Sequence, residues 1–443
     1  MIKLHPIPDV DFLCPYCQIK LETKGWYIPG MRNLAHLQCV QCQREYYGDL
    51  PAGHGLYYPM LLEKTAGIVH NEQHIDWFAE WLHYSYTQRV KSQVEFTVES
   101  YKTLTKPILL NCLDAIYGHC LLKLLNAQYY IENNPRDSLI ILIPRFLRWM
   151  VPDGVAAIWT VDLPLKRGRE WNDWLAAEIK RLIEPLEECR LGVAFSHPHP
   201  EDFDIQRFSR VAPFPIEKLE VLSEKPAITF IWRDDRVWGE QKLSGRLRSL
   251  PGRLKRRFGL SPGSINEQKR RIVTVAEVLR KSFPHLDFAV AGLGKPGGIP
   301  RWITDLRTLE VNEKVERSWC ERYAQSRVVI GLHGSNMLLP SAHAGSVIEL
   351  VPFNRWGNLI QDILINKLDA RENMFLIRFL PAEVLPAFVA EVTVSLLHQL
   401  PSSLINFKRP WCDHRALEKD PWLIINKRRE LGRGLNNEIR YPQ

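Results

Sequence analysis

The 443-residue chain has no apolar run approaching the ~20 residues a helix needs to cross a bilayer. Transmembrane helices are therefore not expected. Its first residues, MIKLHPIPDVDF, lack a basic start followed by an apolar core, so the sequence predicts no signal peptide. The cysteines do not pair evenly: there are nine, and four of them form two Cys-x-x-Cys pairs. That pattern argues against a disulfide framework and for one metal site in a reducing cytosol. Acidic residues are absent from Gln241 to Asn266, which carries Lys242, Arg246, Arg248, Arg253, Lys255, Arg256 and Arg257. Few aromatics interleave these charges, which weakens a nucleic-acid reading of the segment. It reads as a solvated or disordered loop, or as an electrostatic contact with anionic lipid, polysaccharide or nucleic acid, a membrane contact being peripheral and through residues 242–257.

What is present is ordinary for a globular protein: 45% hydrophobic and 24% charged residues, enough chain for more than one domain. The net charge of +8 favours an anionic partner without naming it. Cys14-Pro-Tyr-Cys17 and Cys39-Val-Gln-Cys42 stand 21 residues apart. Two such knuckles bring four thiolates together around one zinc ion. A full set of four thiolates leaves no open position, so the expected role is structural, in a ribbon over residues 1–60. Residues 43–70, rich in Gly, Pro and Tyr, read as irregular. Glu72 to Val90 reads as an amphipathic helix, with Ile75, Phe78, Ala79 and Leu82 at helical spacing and Trp77, Trp81, Tyr84 and Tyr86 widening its surface. It is the expected link, over 61–105, between ribbon and body.

From Lys106 strands and helices alternate. Strands are predicted at Pro107–Leu113, Ser138–Ile143, Ala156–Val161 and Leu191–Ser196, with helices at Gly118–Tyr130 and Trp171–Cys189, the latter kinked at Pro185. A proline-rich connection from Pro213 to Pro226 leads to a second unit. Its strands are predicted at Ala227–Trp232, Leu286–Ala291, Val328–Leu332, Val347–Val351 and Phe375–Phe379, and its helices at Asn266–Lys281, Asn312–Ser326 and Pro381–Gln399. The expected fold is α/β: two Rossmann-like parallel-sheet domains, 106–220 and 221–400, preceded by the four-cysteine ribbon and followed by a basic tail, 401–443.

The densest motif is SRVVIGLHGSNMLLPSAHAGSVIELVP, Ser326 to Pro352. A buried strand ends in His333-Gly334-Ser335-Asn336, and the next strand carries Glu349. Ligands sit beyond the carboxyl ends of strands in open α/β sheets, so this loop is a candidate diphosphate site. Ser335 or Asn336 is the expected cap of the following segment. Arg233 and Arg236 follow an earlier strand and suit phosphate oxygens, unless they serve only Asp234 and Asp235. Asp114-Ala-Ile-Tyr-Gly-His119 follows the first strand and opens a helix. His119 there is a candidate base, with Asp114 as its orienting group or as a competing base.

The segment VVIGLHGSNMLLPSAHAGSVIEL resembles the C-terminal signature of glycosyltransferase family 61. Ser335 stands where alanine is usual, and Ala344-Gly345 replaces Pro-Gly. Gly118-His119 resembles a segment near the start of that family's domain, with Cys120 in place of tryptophan. The resemblance covers about Lys106 to Leu380. It implies a GT-B-type, inverting transferase, using a nucleotide-sugar donor and a glycan or lipid-linked acceptor, with no metal at the donor diphosphate. Glu349 is then expected on the ribose. The expected setting is cytoplasmic, at or near the inner membrane face. The alternative reading is a zinc-ribbon protein that binds nucleic acid or a partner, with a non-catalytic α/β body.

Overall fold

The computed structural model describes residues 1–196, 203–238, 265–364, 366, 371 and 376–411. The basic segment 242–257 and most of the basic tail lie outside the described residues. Among the described residues no helix is long and apolar enough to cross a membrane.

In chain order, β1 (Ile2–His5) precedes a small meander of β2 (Glu22–Tyr27), β3 (Leu34–Gln38), β4 (Glu45–Asp49), β5 (Leu61–Glu63) and β6 (Val69–His70). Helix α1 (Asp76–Thr87) and β7 (Glu95–Ser100) lead to β8 (Ile108–Asn111). Then come α2 (Tyr117–Leu125), α3 (Ala127–Asn133), β9 (Leu139–Pro144), β10 (Ala157–Asp162), α4 (Asp173–Ile183), β11 (Cys189–Leu191) and α5 (Ile205–Ser209). The second unit holds β12 (Ala227–Arg233), α6 (Ile265–Ser282), β13 (Asp287–Leu293), β14 (Thr304–Thr308), α7 (Glu313–Gln325), β15 (Val328–Leu332), α8 (Leu338–His343), β16 (Val347–Val351), β17 (Ile377–Pro381) and α9 (Pro386–Trp411).

The expected α/β fold is what the structure shows. The first large sheet runs β1-β11-β8-β9-β10-β7; its four inner strands are parallel, and β1 and β7 are antiparallel edges. The second runs β14-β13-β12-β15-β16-β17, all parallel. Counted from β12, that is order 3-2-1-4-5-6, the doubly wound dinucleotide-fold arrangement. Chain direction across the sheet reverses between β12 and β15, and in the first sheet between β8 and β11. At such reversals the loops leaving adjacent strands diverge and open a crevice.

Alternation sets the layers. Ile108, Leu110, Ile141 and Ile143 face a core shared with Ile231, Ala291, Val329 and Met337 of the second unit. Leu109, Ile140, Leu142 and Trp159 face the opposite way, onto Leu4 of β1 and onto Trp26, Leu37 and Tyr46 of the meander. The meander thus covers one face of the first sheet. Glu316 of α7 fastens the two units: its carboxylate accepts Tyr117 Oη–H at 2.7 Å and Trp149 Nε1–H at 2.9 Å.

Residues 43–70 are not irregular: β4, β5 and β6 lie there, in strands too short to show a period of their own and held by the five-stranded sheet. The helix predicted over Trp171–Cys189 is capped by Asn172, whose side chain accepts Leu175 N–H, and ends at Ile183. Pro185 follows its end rather than kinking it: Glu184 still has helical backbone and donates to the Lys180 carbonyl, and Pro185, with no N–H, cannot continue the ladder. Gly118–Tyr130 is two helices broken at Asn126. The edge strands β7 (EFTVES) and β14 (TDLRT) were missed because their polar composition lacks an apolar run.

Candidate active site

The loop after β15 is braced from below. His333 Nδ1 lies 3.1 Å from Glu349 Oε1, and Nε2 lies 3.2 Å from Asp362 Oδ2. Glu349 is fully buried on β16 and lies under the histidine, away from the cleft wall where ribose contact was expected. Burial pushes the Glu349 carboxyl up, against the pull of His333. Burial pushes Asp362 up as well, against His333, Arg233, Arg236 and Arg355. The His333 carbonyl accepts Nη1–H of Arg233 at 2.9 Å and also Nη1–H of Arg236. Arg233 Nη1 further donates to Asn336 Oδ1 at 2.9 Å, while Nε and Nη2 donate to Asp235 at 2.8 and 2.5 Å. Asn336 is therefore a partner of Arg233, and neither it nor Ser335 makes a side-chain cap. Gly334 has φ +146°, and a Cβ there would lie 2.0 Å from Arg233 Nη1, so only glycine lets the guanidinium approach.

Arg233 spends its donors on the loop and on Asp235. Arg236 is less committed, and Arg355, which the sequence reading missed, lines the same cleft. Burial lowers the Arg236 guanidinium, and repulsion from Arg233 and Arg355 adds to it. Arg233 and Arg236 thus share the His333 carbonyl while Arg355 repels Arg236 from nearby, a crowding of positive charge that an anion relieves.

The loop after β8 is built differently. Asp114 is buried with its Oδ2 2.8 Å from Lys123 Nζ, and that ammonium also donates to the Leu113 carbonyl at 2.8 Å. Asp114 Oδ1 accepts Ala115 N–H at 2.8 Å and lies 3.3 Å from His119 Nδ1. Burial alone would raise this carboxyl, but Lys123, with hydrogen bonds from His119 and His54, holds it well below the usual carboxylate range. Asp114 is thus an orienting anion and a poor base. His119, in the first turn of α2, reaches the cleft.

The structure adds His54, which sequence reasoning missed. It sits in the turn Gly53–Leu56 between β4 and β5, with Nε2 3.2 Å from His119 Nδ1 and 3.5 Å from Asp114 Oδ2. Burial lowers its imidazole, against Asp114. The Gly53-His54-Gly55 triplet was the only signal, and nothing in the sequence placed it beside His119.

Both loops open on one cleft of about 1300 Å³. The units approach closely at its floor: a Cβ on Gly118 would lie 2.7 Å from Ser335 Cβ. His119, Arg233, Arg236, His333, Gly334 and Ser335 are brought together there, while Asp114 and Glu349 lie behind their histidines. Tyr58, Trp77 and Trp81 form a further wall.

Cys14, Cys17, Cys39 and Cys42 converge at the far end of the meander, every sulfur within 4.8 Å of the others. Cys14 Sγ and Cys42 Sγ are 3.7 Å apart. A tetrahedron with Zn–S bonds of about 2.3 Å has edges of about 3.8 Å, so the donor set fits zinc. The two knuckles repeat one backbone pattern: Gln18 N–H to the Cys14 carbonyl and Gln43 N–H to the Cys39 carbonyl, both 2.9 Å, each glutamine at φ +56°. Two mixed sets, His54/Asp114/His119 and His333/Glu349/Asp362, also hold ligand atoms within 4.8 Å.

No protein-family model matches the chain. No curated protein matches it in sequence. The likeness to family 61 is thus not supported beyond the residues quoted for it. Among solved structures, the chain is similar to the E. coli heptosyltransferase WaaC with ADP, at 10% identity and TM-score 0.38, covering 66% of this chain and 99% of that one. It is also similar to a family 9 glycosyl transferase from Veillonella parvula, at 8% identity and TM-score 0.37, covering 68% and 100%. A third is the E. coli ADP-heptose lps heptosyltransferase II, at 11% and 0.35, covering 67% and 99%. Superposition this loose bears on neither activity nor substrate, and the site must speak for itself.

Proposed function

We propose that this protein is a glycosyltransferase moving a sugar from a nucleotide-sugar donor to a hydroxyl of a glycan or lipid-linked acceptor, with inversion. One observation carries the reading: the crevices of both sheets open on the same cleft, one lined by arginines and the other by a carboxylate-oriented histidine. Arg236 and Arg355 receive the diphosphate, with Arg233 holding the His333 loop in place. His119 Nε2 takes the acceptor proton while Asp114 and His54 fix its Nδ1. The acceptor oxygen bonds the anomeric carbon as the carbon–phosphate oxygen bond breaks, and the diphosphate leaves with the electron pair against the arginines. We read the two histidine–carboxylate sets as hydrogen-bonded rather than metal-binding, because Lys123 and the arginines already supply the cationic charge. Zinc belongs to the four cysteines and, when bound, holds the meander's two knuckles together. Four thiolates kept for zinc suit a reducing compartment, which supports the cytoplasmic reading.

The test is thermal denaturation with nucleoside diphosphates, with and without magnesium. A diphosphate at 100 times its Kd adds about 2.7 kcal/mol. A magnesium-independent shift that disappears in Arg236→Ala is expected. No shift with any nucleoside diphosphate, in folded protein, would sink the donor reading.

A further inference from the structure

The cleft is larger than the donor reading requires. Small-molecule sites occupy roughly 300–1,000 Å³, and this one measures about 1300 Å³. The surplus has a distinct lining. Tyr58 comes from the segment between β4 and β5, and Trp77 and Trp81 are one turn apart on α1, so all three belong to the part of the chain before the two large units. They are set as a rigid group: the Trp77 and Trp81 rings meet edge-on at 5.1 Å, and Tyr58 and Trp77 at 6.1 Å. Phe78 and Leu82, on the buried face of α1, hold the helix onto Met31, Leu34 and Leu62. Trp77 is nevertheless 43% exposed. A tryptophan that packs only part of its surface, in the same cleft as His119 and the arginines, offers a π face to a ligand.

We infer that Tyr58, Trp77 and Trp81 form a saccharide subsite that receives a sugar ring of the acceptor. A pyranose carries polarised C–H bonds on one face and hydroxyls around its rim. The C–H face meets the negative face of an aromatic ring, and the rim hydroxyls stay free to reach His119. A phosphate or nucleotide would instead go to the arginines of the same cleft. This subsite rests on the transferase reading for its role, but not for its binding.

Labelled full-length protein on an array of printed oligosaccharides tests it, compared with Trp77→Ala, Trp81→Ala and Tyr58→Ala. Wild type should bind at least one saccharide, and Trp77→Ala should lose at least tenfold in affinity while keeping the full nucleoside-diphosphate thermal shift. Trp77→Phe, which keeps an aromatic face, should recover part of the loss; it also covers the case in which alanine loosens α1. Equal binding by wild type and all three alanine variants overturns the subsite, as does a wild type that binds no saccharide. A wild type that binds a saccharide but shows no shift with any diphosphate instead overturns the donor reading and leaves the subsite standing.

Discussion

The two loops that meet in the cleft start from the same design and reach opposite electrostatics. Each leaves a parallel strand beside a sheet's reversal point, and each sets a histidine against a buried carboxylate. After β8 the countercharge is Lys123, 1% exposed and sealed inside the unit. After β15 the countercharges are Arg233, Arg236 and Arg355, which face the cleft. A cation buried with its partner makes a fixed, self-contained ion pair. Cations turned outward leave net positive charge for an incoming anion. On the transferase reading, where the lysine and arginines are placed, rather than how many there are, would separate proton transfer from phosphate binding.

The largest expected effect comes from breaking the sealed pair. Lys123→Met leaves Asp114 buried without its countercharge and should cost about 3–5 kcal/mol in chemical denaturation. Arg355→Ala, on the exposed side, should change stability by less than about 0.5 kcal/mol while weakening the diphosphate thermal shift. A Lys123→Met protein as stable as wild type would remove the distinction between the loops.

Zinc loss ranks next. Cys39→Ser should lose bound zinc by elemental analysis and loosen the meander. Because that sheet carries His54, hydrogen exchange should rise around residues 114–119 as well as at the knuckles. Exchange rising only at the knuckles would show that the meander merely rests on the first unit.

Acid should move the loops in opposite directions. The Asp114 carboxyl titrates lower in the folded chain than unfolded, so its contribution is present above the ordinary carboxylate range and is lost as pH falls through its folded value. The Glu349 carboxyl titrates higher when folded, so the folded state binds the extra proton and gains as pH falls through that raised value. Asp114→Asn should therefore be destabilising at pH 7, with the deficit shrinking in acid. Glu349→Gln should be nearly neutral or stabilising at pH 7, with the difference closing near the ordinary glutamate range. Matching signs in the two denaturation series would contradict the comparison.

The smallest effect is a control. Arg181 pairs with Glu178 one turn away on the exposed side of α4, and Arg181→Ala should cost no more than about 0.5 kcal/mol.

The local pattern of the chain already held the central strands, the two knuckles and the His333 and Asp114 loops. Apolar runs such as LIILIP and VVIGL need no neighbour to declare themselves, because burial on both faces selects β-branched and leucine side chains locally. Cysteine spacing is likewise a local constraint, set by the reach of one knuckle. Tertiary structure decided the rest. Strand order, and with it the two crevices, depends on which strands pair over separations of about a hundred residues, as β12 and β15 do. Edge strands such as TDLRT are held by one neighbour and carry no pattern of their own. His54 joins His119 across 65 positions, and Arg355 joins Arg236 from a separate turn. Local residue chemistry settles which side chains can act, but only the packing of sheets brings them within a few ångströms, because that distance is fixed by contacts remote in the chain.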